Sequence, residues 1–158
     1  MINDSQQTRL YFAQSRAFLH TELNELISDR ECTRLKNLLF NKAISISYWR
    51  SPLTPAIYTV KSLPEDWVAT ATSYIGSFID SKIELLAEGK RSWIIAHESA
   101  HILLNSKITS ISYEAHGPEF AGIYIWAVNF LFGRKWSNTL KREFRLMSIK
   151  SVHDLKER

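Results

Sequence analysis

Arg91-Ser92-Trp93-Ile94-Ile95-Ala96-His97-Glu98-Ser99-Ala100-His101-Ile102-Leu103-Leu104-Asn105 is the stretch on which the fold turns. It is apolar on nearly every side of a helical projection, and a helix of that kind is buried. Yet it carries three ionisable side chains, and an ionisable group in a core needs a partner or a metal. Those three form His97-Glu98-Ser99-Ala100-His101, the pattern H-E-x-x-H. Residues four apart share a helix face, about 6 Å apart along the axis. Two imidazoles so placed can hold one zinc ion, with the glutamate beside the first near a zinc-bound water. Ser99 and Ala100 are small and let another element pack close.

A third ligand is needed, because catalytic zinc sites use three protein ligands and leave a fourth position for water. Fourteen residues separate His101 from His116-Gly117-Pro118-Glu119-Phe120. His116 is the preferred third ligand, since it lies at a turn from which the chain can return to the metal. Glu119, Glu114 and His153 are the other candidates. Glu98 is expected to be the general acid/base, taking a proton from water and passing it to a leaving amine. The expected chemistry is zinc-assisted hydrolysis, most naturally of a peptide or amide bond. A transition-state stabiliser is also expected, with Tyr113, Tyr124 and Arg91 as candidates.

Outward from the motif, the spacing predicts helices over 5–27 and 29–41. Asp4 caps the first, with Tyr11, Phe12, Phe18 and Leu19 on one stripe. Cys32, Leu35, Leu38 and Leu39 form the inner face of the second, Cys32 as a core residue. His20 has no partner spacing. Alternation at Ile44, Ile46 and Tyr48, at Ala56 to Lys61 and at Lys82 to Leu86 predicts strands. Residues 62–79 read either way: Trp67, Ala71, Tyr74 and Phe78 have helical spacing, whereas Thr70, Thr72 and Ile75 favour a strand. Pro118 and Glu119 begin a helix that stops at Gly133. Ser137 is expected to cap a last helix reaching about Lys150. Leu140, Phe144 and Met147 would face inward, and Lys141, Arg142 and Arg145 outward.

The 158 residues are expected to form one domain over 1–158, long enough to hide roughly 70% of the unfolded surface. A single cysteine excludes an internal disulfide and a cysteine-rich zinc ribbon. The polar N-terminus lacks a signal-peptide core, and the apolar run from Ala121 to Phe132 is too short to span a bilayer. Cytoplasmic residence and no membrane partner are the expectations. Residues 1–132 carry 12 Lys+Arg against 13 Asp+Glu, whereas 133–158 carry 8 against 3. The whole basic excess therefore lies at the C-terminal end, a candidate nucleic-acid contact.

The combination of HESAH, a fourteen-residue gap and HGPEF resembles the metal site of SprT-like zinc metallopeptidases, including Spartan-type proteases. A family of small zinc-motif metallohydrolases of bacteria and phages resembles more of the chain. It shares the opening Ser5-Gln6-Gln7-Thr8-Arg9-Leu10-Tyr11-Phe12-Ala13, the segment Tyr48-Trp49-Arg50 and the helix Phe120-Ala121-Gly122-Ile123-Tyr124. The resemblance implies an α+β, zincin-like domain. Its parts would be N-terminal helices, a small mostly antiparallel sheet with a hairpin over 68–86, a buried HExxH helix and C-terminal helices. It also implies that His97, His101 and His116 bind one zinc and that Glu98 is catalytic on a protein or peptide substrate. Spartan-type proteins add a zinc ribbon or DNA-binding extensions, for which this chain has no cysteine pair. The competing expectation is a non-enzymatic, zinc-stabilised DNA- or protein-binding module of phage or plasmid origin.

Overall fold

The computed structural model describes residues 4, 6–46, 54–73, 81–106 and 113–152. Helix α1 (Gln7–Phe18) buries Leu10, Ala13, Gln14, Ala17 and Phe18, an i, i+3, i+4, i+7, i+8 stripe. Tyr11, Phe12 and Leu19 are exposed, so the inner stripe lies about a quarter turn from the expected one. Asp4 does not cap the helix with its side chain: Gln6 is the N-cap, and no side chain caps it. The expected long helix over 5–27 breaks at Phe18. Thr21 has extended backbone angles, its hydroxyl donates to Phe18 O and accepts from Leu23 N, and a 3-10 turn over Glu22–Asn24 follows. A threonine that caps a new turn ends the old helix.

Helix α2 (Asp29–Ile44) begins at an N-cap serine, Ser28, whose Oγ accepts from Glu31 N at 3.1 Å. It runs three residues past its expected end. Ile44 is therefore its last turn rather than the start of a strand, and Ser47 and Tyr48 lie outside the described residues. Cys32, Leu35 and Leu39 are buried as expected, whereas Leu38 is exposed and Phe40 takes the inner position.

Strands β1 (Ala56–Thr59), β2 (Ala69–Thr72) and β3 (Lys82–Leu85) form a three-stranded sheet in the order β1-β3-β2. β3 is central and alternates as expected, with Ile83 and Leu85 fully buried and Lys82 and Glu84 paired at 3.0 Å on the other face. β2 pairs antiparallel to β3 with Ala69 opposite Leu85 and Thr72 opposite Lys82. That settles Ala69–Thr72 as strand, while the segment joining it to β3 lies largely outside the described residues. β1 runs parallel to β3, so the sheet is mixed rather than mostly antiparallel.

Helix α3 (Ser92–Asn105) is the motif helix, and it is buried on nearly all sides. It packs against α4 (Pro118–Phe132), α2 and β2. Ile94, Ile95, Ile102, Leu103 and Leu104 each contribute about 1.5–3 kcal/mol on burial, which offsets the desolvation of the motif's polar groups. α4 starts at Pro118 with Glu119 in its first turn, as expected, and ends at Gly133. Gly133 has φ +98°, a conformation suited to glycine, and it turns the chain directly into α5 (Arg134–Leu146). Ser137 is thus inside α5 rather than its cap; its hydroxyl is bonded to Asn129 Oδ1 and Arg134 O. The helix also stops four residues short of Lys150, where Ser148 reverses the chain at φ +53° and Ile149 N donates back to Phe144 O. Leu140 and Phe144 face inward as expected, Met147 packs partly against the core, and Arg142 and Arg145 face out.

α5 lies between α1 and α4. Gln6 clasps the segment after it: its amide donates to Lys150 O and accepts from Lys150 N, at 3.1 and 3.2 Å. This clasp holds the start of α1 beside the start of α4, where Val152 N donates to Pro118 O. The class is α+β, five helices and a small three-stranded sheet among the described residues.

Candidate metal centre

The helical rise puts His97 and His101 on one face of α3, with Nε2 of each 3.2 Å apart. His116 enters from the turn before α4, fixed by Gly117 and Pro118. One ring nitrogen from each of the three histidines lies within 4.8 Å of the others. Two nitrogens bound to one tetrahedral ion at 2.0–2.1 Å sit roughly 3.3 Å apart. The His97–His101 pair already has that spacing, and His116 completes the group within 4.8 Å. Nitrogen lone pairs converging at this distance repel unless a proton or a cation stands between them. The three histidines lie close enough to hold a metal ion.

Two partners orient the rings: Gln14 is not singled out by the sequence, and Asp4 is expected from it only as a helix cap. His97 Nδ1 lies 2.8 Å from Gln14 Oε1, and His116 Nδ1 lies 2.6 Å from Asp4 Oδ2. Each Nδ1–H donates outward, which leaves the Nε2 of each ring as an acceptor facing the cluster. A carboxylate or amide behind a histidine is what a metal-ligating imidazole needs to fix its tautomer and raise its basicity. A sequence signal existed: Asp4, Gln7, Tyr11 and Gln14 fall at i, i+3, i+7 and i+10, a polar stripe beside the apolar face of α1. Its meaning depends on partners 83 to 112 residues away.

Electrostatics follow from burial. His97 is pushed well below the usual imidazole range by desolvation, then by His101 and His116. His101 is pushed down to about 3 by desolvation and His116. Both rings are therefore neutral at physiological pH and ready as ligands. The Glu98 carboxyl is raised to about 8, because burial disfavours its charged form.

The four motif side chains line a cleft of about 590 Å³. α1 contributes Gln7, Tyr11 and Gln14 to one wall, and Trp67 to Ser73, including all of β2, form the other. Among the described residues β2 pairs only with β3 and is an edge strand of the sheet. Tyr11 stands over the histidines, its hydroxyl 3.3 Å from His116 Nε2 and its ring edge-on to that of His116 at 5.0 Å.

Of the remaining candidates, Glu114 and Glu119 are not part of the three-histidine cluster, and His153 lies outside the described residues. His20 is exposed. The Arg91 guanidinium is bonded to Glu88 O and Asn24 O, so it ties the start of α3 to the 3-10 turn. Tyr124 packs edge-on to His97 from inside the core, and its hydroxyl is raised well above the usual phenol range by burial and then by Glu98. Neither it, Tyr113 nor Arg91 lines the cleft. Lys141, Arg145 and Lys150 line a second cavity of about 570 Å³ floored by Ile125, Phe144 and Ile149. Arg142 instead lies 3.5 Å from Glu143, which also holds Arg16 at 2.8 Å. No helix among the described residues is long and apolar enough to cross a membrane. No family model, curated protein or solved structure matches this chain at a significant level.

Proposed function

We propose that this chain is a zinc-dependent metallohydrolase with a zincin-like site, acting on peptide bonds. The observation that carries the reading is the convergence of three imidazoles and a buried carboxyl in one open cleft. His97, His101 and His116 would hold the ion. A three-histidine set with nitrogen spacing near the tetrahedral value favours zinc among the metals that imidazole accepts. Zinc bound this way supplies Lewis acidity and activates water at neutral pH.

The chain's own residues account for the rest. Gln14 and Asp4 keep two imidazoles in the Nε2-ligating tautomer. Glu98 faces the cleft one residue from His97, and burial raises its carboxyl to about 8 in the metal-free protein. Ionised, it takes a proton from the attacking water; protonated, it delivers one to the leaving amine. The position of β2 at the sheet edge supports a peptide substrate in particular. The strand lines the cleft, and an extended peptide can pair with the edge of such a strand. Cytoplasmic residence accords with a lone, buried cysteine.

The test is Glu98→Gln. The variant should bind about one zinc per chain as the wild type does, while its cleavage of a mixed library of quenched fluorescent peptides falls by about 10²–10⁴-fold. Cleavage at the wild-type rate by a zinc-loaded Glu98→Gln protein would overturn the mechanism.

A further inference from the structure

We propose that Tyr11 is a catalytic residue of this site, its hydroxyl the donor that binds the carbonyl oxygen of the scissile group as negative charge builds on it. This rests on the metallohydrolase reading above. The argument is hydrogen-bond accounting. Tyr11 oxygen accepts from Gln7 Nε2 at 3.3 Å, so its own proton is directed elsewhere. With His116 Nδ1–H committed to Asp4, that proton is donated to the lone pair of His116 Nε2, 3.3 Å away. A cation held by the three histidines takes that same lone pair. The Tyr11 proton then loses its acceptor while the ring stays where it is.

The ring has reason to stay. It packs edge-on to His116 at 5.0 Å and tilted against His97 at 5.9 Å, and Gln7 holds the oxygen from the side of α1. The hydroxyl is thus fixed about one ligand-to-ligand distance from His116 Nε2, on the cleft side of the histidines. A carbonyl oxygen drawn to the open metal position lies within its reach. A preorganised donor aimed where charge develops is the standard means of stabilising a tetrahedral oxyanion. The Arg91 guanidinium is spent on backbone carbonyls, and Tyr113 and Tyr124 do not line the cleft, so Tyr11 is the tyrosine that lines it among the described residues.

Tyr11→Phe tests this with three measurements on zinc-loaded protein: zinc affinity by chelator competition, binding of inorganic phosphate by calorimetry, and peptide-library cleavage. Phosphate is a tetrahedral oxyanion small enough to need no specificity pocket. The expected result is unchanged zinc affinity, phosphate binding weaker by about tenfold or more, and kcat lower by about 100-fold or more with KM little altered. Melting temperature controls for folding; the ring and its packing are retained. Wild-type phosphate binding and cleavage in Tyr11→Phe overturn the proposal. So does a loss of zinc affinity of about tenfold, which would make Tyr11 a support of the metal rather than of the substrate. A wild type that binds zinc but cleaves nothing refutes the metallohydrolase reading, and the phosphate comparison then still decides the position of the hydroxyl. A wild type that takes up no zinc overturns both.

Discussion

Replacing Asp4 by alanine should weaken metal binding without touching a ligand. Asp4 Oδ2 and His116 Nδ1 are 2.6 Å apart, with only 6% of the histidine side chain and 23% of the aspartate exposed. A hydrogen bond to a charged group in such a setting contributes about 1.5–3 kcal/mol. Since 1.4 kcal/mol is a factor of ten, Asp4→Ala should raise the zinc Kd by about 10- to 100-fold. Asp4→Asn retains an acceptor for Nδ1–H but loses the charge, and a neutral bond is about half as strong, so its effect should be under about tenfold. Gln14→Ala removes a neutral acceptor from His97 and should fall in that same lower range. Competition with a fluorescent zinc chelator at neutral pH measures all three. The order Asp4→Ala, then Asp4→Asn and Gln14→Ala, is the signature of orientation by outer partners. A folded Asp4→Ala protein that binds zinc as tightly as the wild type would refute the reasoning.

Three further outcomes are expected. In the metal-free protein, His97 and His101 are depressed below 6.5 and Glu98 is raised from 4.5 to about 8. The unfolded chain binds more protons at the histidines below pH 6.5, and the folded chain more at Glu98 between 4.5 and 8. These groups therefore make stability rise with pH up to about 6.5 and fall from there to about 8; thermal melts in chelator that rise from pH 6.5 to 8 would contradict this. Cys32 is 1% exposed and its thiol is pushed up to about 11 by burial, so a thiol reagent should label it only after unfolding. Rapid labelling of the native protein would be the contrary result. Gly133→Ala should lower stability by about 1–2 kcal/mol in a denaturant titration, because φ is +98° and no neighbour lies within 4 Å of the added carbon to compensate. A stability unchanged or increased would show that the joint between α4 and α5 adjusts freely.

What the sequence displayed was local and periodic. The motif helix, the alternation of β3 and the Pro118-to-Gly133 helix each carry their signal within a few residues of themselves. The break at Thr21 was hidden because the apolar residues on either side mimic one continuous stripe, and a single hydroxyl decides otherwise. The β1–β3 pairing was hidden because parallel neighbours have no turn to announce them. The three histidines were legible as a spacing plus a turn. Asp4, Tyr11 and Gln14 were not, since each acquires a role only from a residue more than eighty positions away. A polar side chain on α1 looks solvated until α3 and α4 are placed beside it.

That separation sets the order in which the centre can come into being. Tyr11 and Gln14 leave the ribosome first and face nothing, and the two histidines of α3 follow some eighty residues later. Chains grow by about 5–20 residues per second, so several seconds pass before His116 appears and Asp4 has anything to bind. The clasp between Gln6 and Lys150 closes after that. A nascent chain that has not yet reached His116 therefore offers at most two of the three histidines. Metal capture is therefore expected to follow the emergence of His116 rather than that of the HExxH helix.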